Sequence, residues 1–359
     1  GLTITGPGAG VLAIDGDGDS RVFYLYNNSV DQHAVTISDL TITNGYAEEG
    51  DGGNIYSRDI DLTLQSVVVS DGYAEQDGGG IFLTGERGSL RMSDSQLVNN
   101  TAYYDGGGLM ADDSQGGLRP TSVTAGEGIT IERSLISGND SLYGDGGGGF
   151  GGGVFIDNGN GPVLISETTI DNNTAFYDGG GIFIDHVAAP VVIDRSTISN
   201  NDADDGNGGG VYFSGSTDAF TLSNSTVSGN TADGVGGGLL LQAWNYYSYN
   251  PEALDMASST TVEHSTVANN SAFRGGNIFV APGGKRRVQG EAEAQVTLPE
   301  PTSGVVLDHV IVADGFAGES EPDIFSDNAF FTADDSLIED DTVVPNAGAY
   351  NRSGDPLLG

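Results

Sequence analysis

The residues best equipped for chemistry are carboxylates, and many of them recur at one place in a repeated pattern. Asp51, Asp77, Asp105, Asp145 and Asp178 each stand just before or within a glycine-rich run. In a chain that coils on itself, such residues stack about 4.8 Å apart. Unscreened like charges at that spacing cost free energy, which a bound cation relieves, and an all-oxygen donor set suits calcium. A solvated acidic turn with splayed side chains is the alternative. Asp15, Asp17 and Asp19, in the string DGDGD, resemble the opening of a calcium loop, but the twelfth position is Tyr26, where an EF-hand needs a bidentate Glu. A Gly/Asp turn explains the same three residues, and an irregular calcium site there stays open.

Aromatic and basic residues mark candidate binding surfaces. Tyr104 and Tyr177 lie beside the acidic row, where an aromatic face next to a carboxylate suits a sugar, although stacked rings also stabilise turns. Segment 242–260 carries Trp244, Tyr246, Tyr247 and Tyr249, and segment 281–303 carries Lys285, Arg286 and Arg287. Together they suit an anionic glycan, or the acidic side of another copy of the chain. Packing of the aromatic loop back onto its own scaffold is the competing account. The case for catalysis is thinner. Arg133, Glu167 and Arg195 share a phase, and the four histidines, at 33, 186, 264 and 309, are scattered. Adjacent pairs such as Asp112-Asp113 are expected by chance in a chain with 51 acidic residues.

The elements that position these residues come from an internal repeat. Nine copies of a Thr/Val/Ser-rich triplet, an Asn/Asp/Gly pair, a small residue and, in most, a glycine run are anchored on Ile42, Val69, Leu97, Ile136, Ile170, Ile198, Val227, Val267 and Val312. Their spacing is near 28 residues, lengthened by insertions, and periods of this size mean a solenoid. Each copy holds three short alternating apolar segments, such as Val163-Leu164-Ile165, Thr169-Ile170-Asp171 and Ile182-Phe183-Ile184. Segments this short predict strands rather than helices. Three strands per coil, each pairing with its equivalent in the next coil, make an all-β parallel β-helix of about ten coils. Asn44, Asn100, Asn139, Asn173, Asn201, Asn230 and Asn270 fall in one turn and predict an asparagine ladder.

The expected organisation is a single domain over 1–359, with edge insertions at 111–128, 242–260 and 281–303 and a C-terminal segment 326–359. A formal net charge of −39, with Lys285 the only lysine, makes nucleic acid an unfavourable partner and predicts a saline or calcium-containing medium. No apolar run is long enough to insert in a membrane as a helix.

The opening LTITGPGAGVLAIDGDGDSRVFYL, the LTITNGYA and GDGGNIY strings, the STISNN and GGGVYF repeats and the closing NRSGDPLLG resemble secreted bacterial and archaeal β-helix proteins of the choice-of-anchor type. That resemblance implies a right-handed parallel β-helix, export and a cell-surface or extracellular setting, with no established activity. The NTD, GHG and RIK strings of pectin-hydrolase-like β-helices are missing. The expected function is therefore a structural or adhesive component outside the cell. A polysaccharide lyase or hydrolase, or a glycan-binding module, is the alternative. Because Gly1-Leu2-Thr3-Ile4 already reads as a strand, head-to-tail self-association into filaments is a further expectation.

Overall fold

The computed structural model describes residues 1–29, 31–85, 87–112, 128–142, 147–157, 161–187, 189–214, 219–242, 260–281, 305–313, 315–317, 324–326, 331–334, 336–338 and 352–353. The chain is a right-handed parallel β-helix in which every paired strand lies parallel to its equivalent one coil away. Four sheets line the coil, rather than three. One complete turn runs through Val163–Ser166, Thr169–Asp171, Thr174–Ala175 and Ile182–Asp185. We call the corresponding sheets first, second, third and fourth. Among the described residues they hold 11, 12, 9 and 10 strands, which agrees with the depth expected from the repeat. The first, second and fourth are the expected three. The third consists of two-residue strands such as Tyr73–Ala74 and Thr101–Ala102, too short to show any alternation in sequence.

Alternation puts one apolar column of each strand inside. Ile165, Ile170 and Ile184 are fully buried in one turn, and their equivalents continue through a single core from Val35 to Ile338. The inward residues of the third sheet are alanines, including Ala74, Ala102, Ala175 and Ala203, which lie outside that core where the strands run close against the glycine runs: a Cβ on Gly152 would stand 2.2 Å from the Thr174 carbonyl oxygen. The register is in phase throughout, so Ile136, Ile170, Ile198 and Val227 pair residue for residue.

Three of the four corners are closed by polar ladders. At the second-to-third corner, eight buried amides form one series: Asn54, Asn100, Asn139, Asn173, Asn201, Asn230, Asn270 and Asn277, each donating its Nδ2 to the next Oδ1 at 2.9–3.1 Å. Asn44 is not a member. It sits one residue earlier, in left-handed backbone at φ 55°, and its amide reaches Asp15 at 3.1 Å. The ladder place in its coil is Gly45, whose N–H donates at 2.9 Å to Asn54, an amide supplied from the start of the fourth-sheet strand across the interior. At the first-to-second corner, Ser95, Ser134, Thr168, Ser196, Ser225 and Ser265 accept the N–H of the preceding coil at 3.0–3.4 Å. No sequence signal had singled out this hydroxyl ladder.

Candidate functional site

The third ladder uses the acidic row. At the third-to-fourth corner Asp51 Oδ1 accepts the N–H of Asp77 at 3.4 Å, Asp77 Oδ1 that of Asp105 at 3.0 Å, and Asp105 Oδ1 that of Phe150 at 3.0 Å. Asp178 Oδ1 likewise accepts from Asn207 at 2.8 Å, and Asn207 in turn from Val235 at 2.9 Å. The row therefore stacks, but Phe150 interrupts it between Asp105 and Asp178, and Asp145 lies outside the described residues. Each of these four aspartates spends one oxygen on the backbone of the next coil. Burial pushes all four carboxyls up, Asp77 to about 7 and Asp105 to about 6, with the neighbouring Asp105 charge adding to the effect on Asp77. Asp15, Asp17 and Asp19 form an exposed turn: Asp15 Oδ1 accepts the N–H of Asp17 at 2.8 Å, and Asp17 adopts φ 56°.

The fourth sheet carries a second set of side chains on its outer face. Register places Tyr24, Tyr56, Phe82, Met110, Phe155, Phe183 and Tyr212 in one row. Phe82, Met110, Phe155 and Phe183 are buried outside the main core and form a separate apolar cluster. Phe150 joins it at 5.4 Å from Phe183 and stands 5.7 Å from Tyr177. Tyr104 packs edge-on against Tyr103 at 5.2 Å and Tyr177 edge-on against Phe176 at 4.9 Å, so both are partly buried corner residues. The row opens to solvent toward the N-terminal coils. Tyr24 is 62% and Tyr26 50% exposed. Tyr24 stacks on Tyr56 at 4.7 Å, and Tyr56 on Phe82 at 5.6 Å. Arg21 lies 5.9 Å from the Tyr24 ring and Arg58 5.8 Å from the Tyr26 ring. In a chain with 12 basic residues against 51 acidic ones, two arginines beside exposed rings are a local exception to the surface charge.

The fourth-to-first corner differs from the other three. Strands of the fourth sheet end at one register position, occupied in successive coils by Arg58, Thr84, Asp112, Asp157, Asp185, Ser214, Gln242 and Ala281. All three insertions begin here: the strands ending at Asp112, Gln242 and Ala281 are followed by strands that start at Ile129, Thr260 and Val305. Trp244, Tyr246, Tyr247, Tyr249, Lys285, Arg286 and Arg287 lie outside the described residues, although the points where their segments leave the rod are on this edge. Asp157 and Asp185 are direct register partners. At about 4.8 Å, two carboxylates repel by about 3 kcal/mol at an effective dielectric near 20. His186 follows in left-handed backbone at φ 53°, which brings its Nδ1 to 2.8 Å from Asp185 Oδ2 and 3.5 Å from Asp157 Oδ1. In the sequence His186 shares no phase with the other three histidines, and only the fold brings it to these carboxylates. Aligning the fourth strands as LMAD, VFID, IFID and VYFS is the signal that finds the Asp row.

Arg133, Glu167, Arg195, His264 and His309 lie at a different corner and engage neighbours there. Arg133 makes two contacts with Asp94, at 2.9 and 3.1 Å, and Arg195 reaches Glu167 at 3.2 Å. His264 and His309 stack at 5.0 Å. All six stand in left-handed backbone at the first-to-second corner, at the far end of the first-sheet strands from Asp157 and Asp185.

No protein-family profile matches this chain, and neither does any curated protein at a significant level.

Proposed function

We propose that the protein is an adhesive β-helix outside the cell whose recognition face is the outer side of the fourth sheet, and that its ligand is a polysaccharide. The observation that carries this is the row of ring faces that emerges from the buried cluster at Phe82 to the exposed, arginine-flanked Tyr24 and Tyr26. Flat aromatic surface bordered by fixed charges fits sugar rings, whose apolar faces stack while their hydroxyl or carboxylate groups meet polar partners. The three insertions leave the rod at the adjoining edge, and segments grouped on one edge of a solenoid commonly carry recognition. The net charge of −39 and the motif order shared with secreted choice-of-anchor β-helix proteins support the extracellular setting.

Incubating the full chain with a panel of acidic and neutral polysaccharides separates this reading from an enzyme. Retention of a polysaccharide with no change in its length is the expected result. New reducing ends or an unsaturated product would make the protein a hydrolase or lyase instead.

A further inference from the structure

We propose that the fourth-to-first corner is a binding site for one zinc-class divalent metal ion, held by Asp157, Asp185 and His186 with a fourth position open. The three side chains offer two carboxylate oxygens and an imidazole nitrogen, all within 4.8 Å of one another. A tetrahedral zinc ion with bonds of 2.0–2.1 Å separates its donor atoms by about 3.3 Å. The Nδ1 of His186, at 2.8 and 3.5 Å from the two carboxylates, brackets that value.

A second observation, independent of this spacing, also points to a ligand. Asp157 Oδ1 and Asp185 Oδ1 are shielded from solvent and accept no hydrogen bond. Further along the same register row, Thr84 is only 4% exposed and its hydroxyl is likewise without a partner. Outside this corner, the only other side-chain groups in this state among the described residues are the neutral hydroxyls of Ser57 and Ser141, whereas the corner aspartates accept backbone N–H groups and the ladder amides pair with one another. Buried carboxylate oxygens left bare are costly unless a cation meets them.

The donor set selects the ion. Calcium takes six to eight oxygen ligands, whereas an imidazole with two carboxylates suits zinc and its first-row neighbours. The strand register fixes Asp157 beside Asp185, and the left-handed turn at His186 folds the ring back over them, so the site is set by the scaffold rather than by a loop. Three protein ligands leave room for a water or a ligand group as the fourth. This inference rests on the corner geometry alone and stands apart from polysaccharide recognition.

The test uses the full chain, freed of metal with a chelator and kept in molar-range NaCl so that its diffuse acidic surface is screened. Zinc is titrated by calorimetry, and cobalt(II) serves as an optical probe of coordination geometry. The expected result is one saturable site per chain, with a tetrahedral cobalt spectrum that zinc abolishes and an excess of calcium does not. Asp185→Ser installs the residue that Ser214 already provides one coil on, and His186→Asn keeps a side chain tolerant of left-handed backbone. Each variant is expected to weaken zinc binding roughly tenfold or more while keeping the melting temperature of the metal-free protein. The proposal is overturned if the unaltered chain shows no saturable site at sub-millimolar zinc, if calcium displaces cobalt at equal concentration, or if both variants bind zinc as tightly as the parent. The cobalt spectrum of the parent chain decides the matter even where a variant fails to fold.

Discussion

At the level of single residues, the same amino acid does different work at different corners. An aspartate at the third-to-fourth corner is a backbone acceptor, whereas one at the end of a fourth-sheet strand has a buried oxygen that accepts nothing. The ladder aspartates have a cost that pH reveals. An acid whose folded-state pKa lies above its unfolded value holds its proton more tightly when folded, so its contribution is full below about 3.8 and is lost as pH rises through the folded value, about 7 for Asp77. Asn207 occupies the equivalent place with its Oδ1 on the N–H of Val235, showing that an amide keeps the bond without the charge. Asp77→Asn should therefore raise the melting temperature at pH 8, with the gain shrinking as pH falls to 5. A gain of the same size at both pH values would mean that the carboxyl of Asp77 titrates normally.

At the level of elements, the glycine runs and the asparagines are two sides of one packing rule. In Gly179-Gly180-Gly181 the first residue adopts φ 72°, a Cβ on the second would lie 2.4 Å from the Asp202 carbonyl oxygen, and one on the third 2.6 Å from that of Gly210 and 3.0 Å from Cγ of Asn201. The interior admits one amide per slot: where the turn offers Gly45 and Gly72, Asn54 comes from the facing column, and at the other end Asn277 follows Asn270. Attacking one contact from both sides tests this. Asn173→Leu leaves the N–H of Asn139 without its acceptor, takes one of the two bonds of Asn139 Nδ2, removes the side-chain bond to the Ile136 carbonyl and leaves Asn201 Oδ1 with only the backbone N–H of residue 173, a loss of about 1–3 kcal/mol. Gly153→Ala forces a Cβ to within 3.1 Å of the same amide and 2.6 Å of the Gly181 carbonyl oxygen, costing about 1–3 kcal/mol. Urea midpoints that match the parent for both variants would remove the ladder from the account. The three longer strands were legible in sequence because each alternates over several residues. The third sheet was not, since a two-residue strand such as Thr174–Ala175 shows only one inward side chain. The amide ladder was legible through its Asn-Asn-Thr turn, apart from Asn54 and Asn277, which enter from the opposite wall.

At the level of the whole molecule, the four corners of the rod are built differently. Three corners are closed by ladders, and the fourth carries the insertions, the Asp157, Asp185 and His186 group and the edge of the aromatic row. That division was hidden in the sequence because insertions of different length displace Asp112, Asp157 and Asp185 from the simple repeat, and only strand register realigns them. The exposed tyrosines were missed for a related reason, since Tyr24 and Tyr26 lie in an atypical first coil where nothing in the local string marks them as the open end of a row. Phe273, 49% exposed beyond a third-sheet strand, supplies an internal control on a different part of the surface. The most direct measurement is hydroxyl-radical footprinting of the full chain with and without a retained polysaccharide. The account expects protection of Tyr24, Tyr26 and Tyr56 with Phe273 unchanged; protection of Phe273 with the three tyrosines left reactive would contradict it.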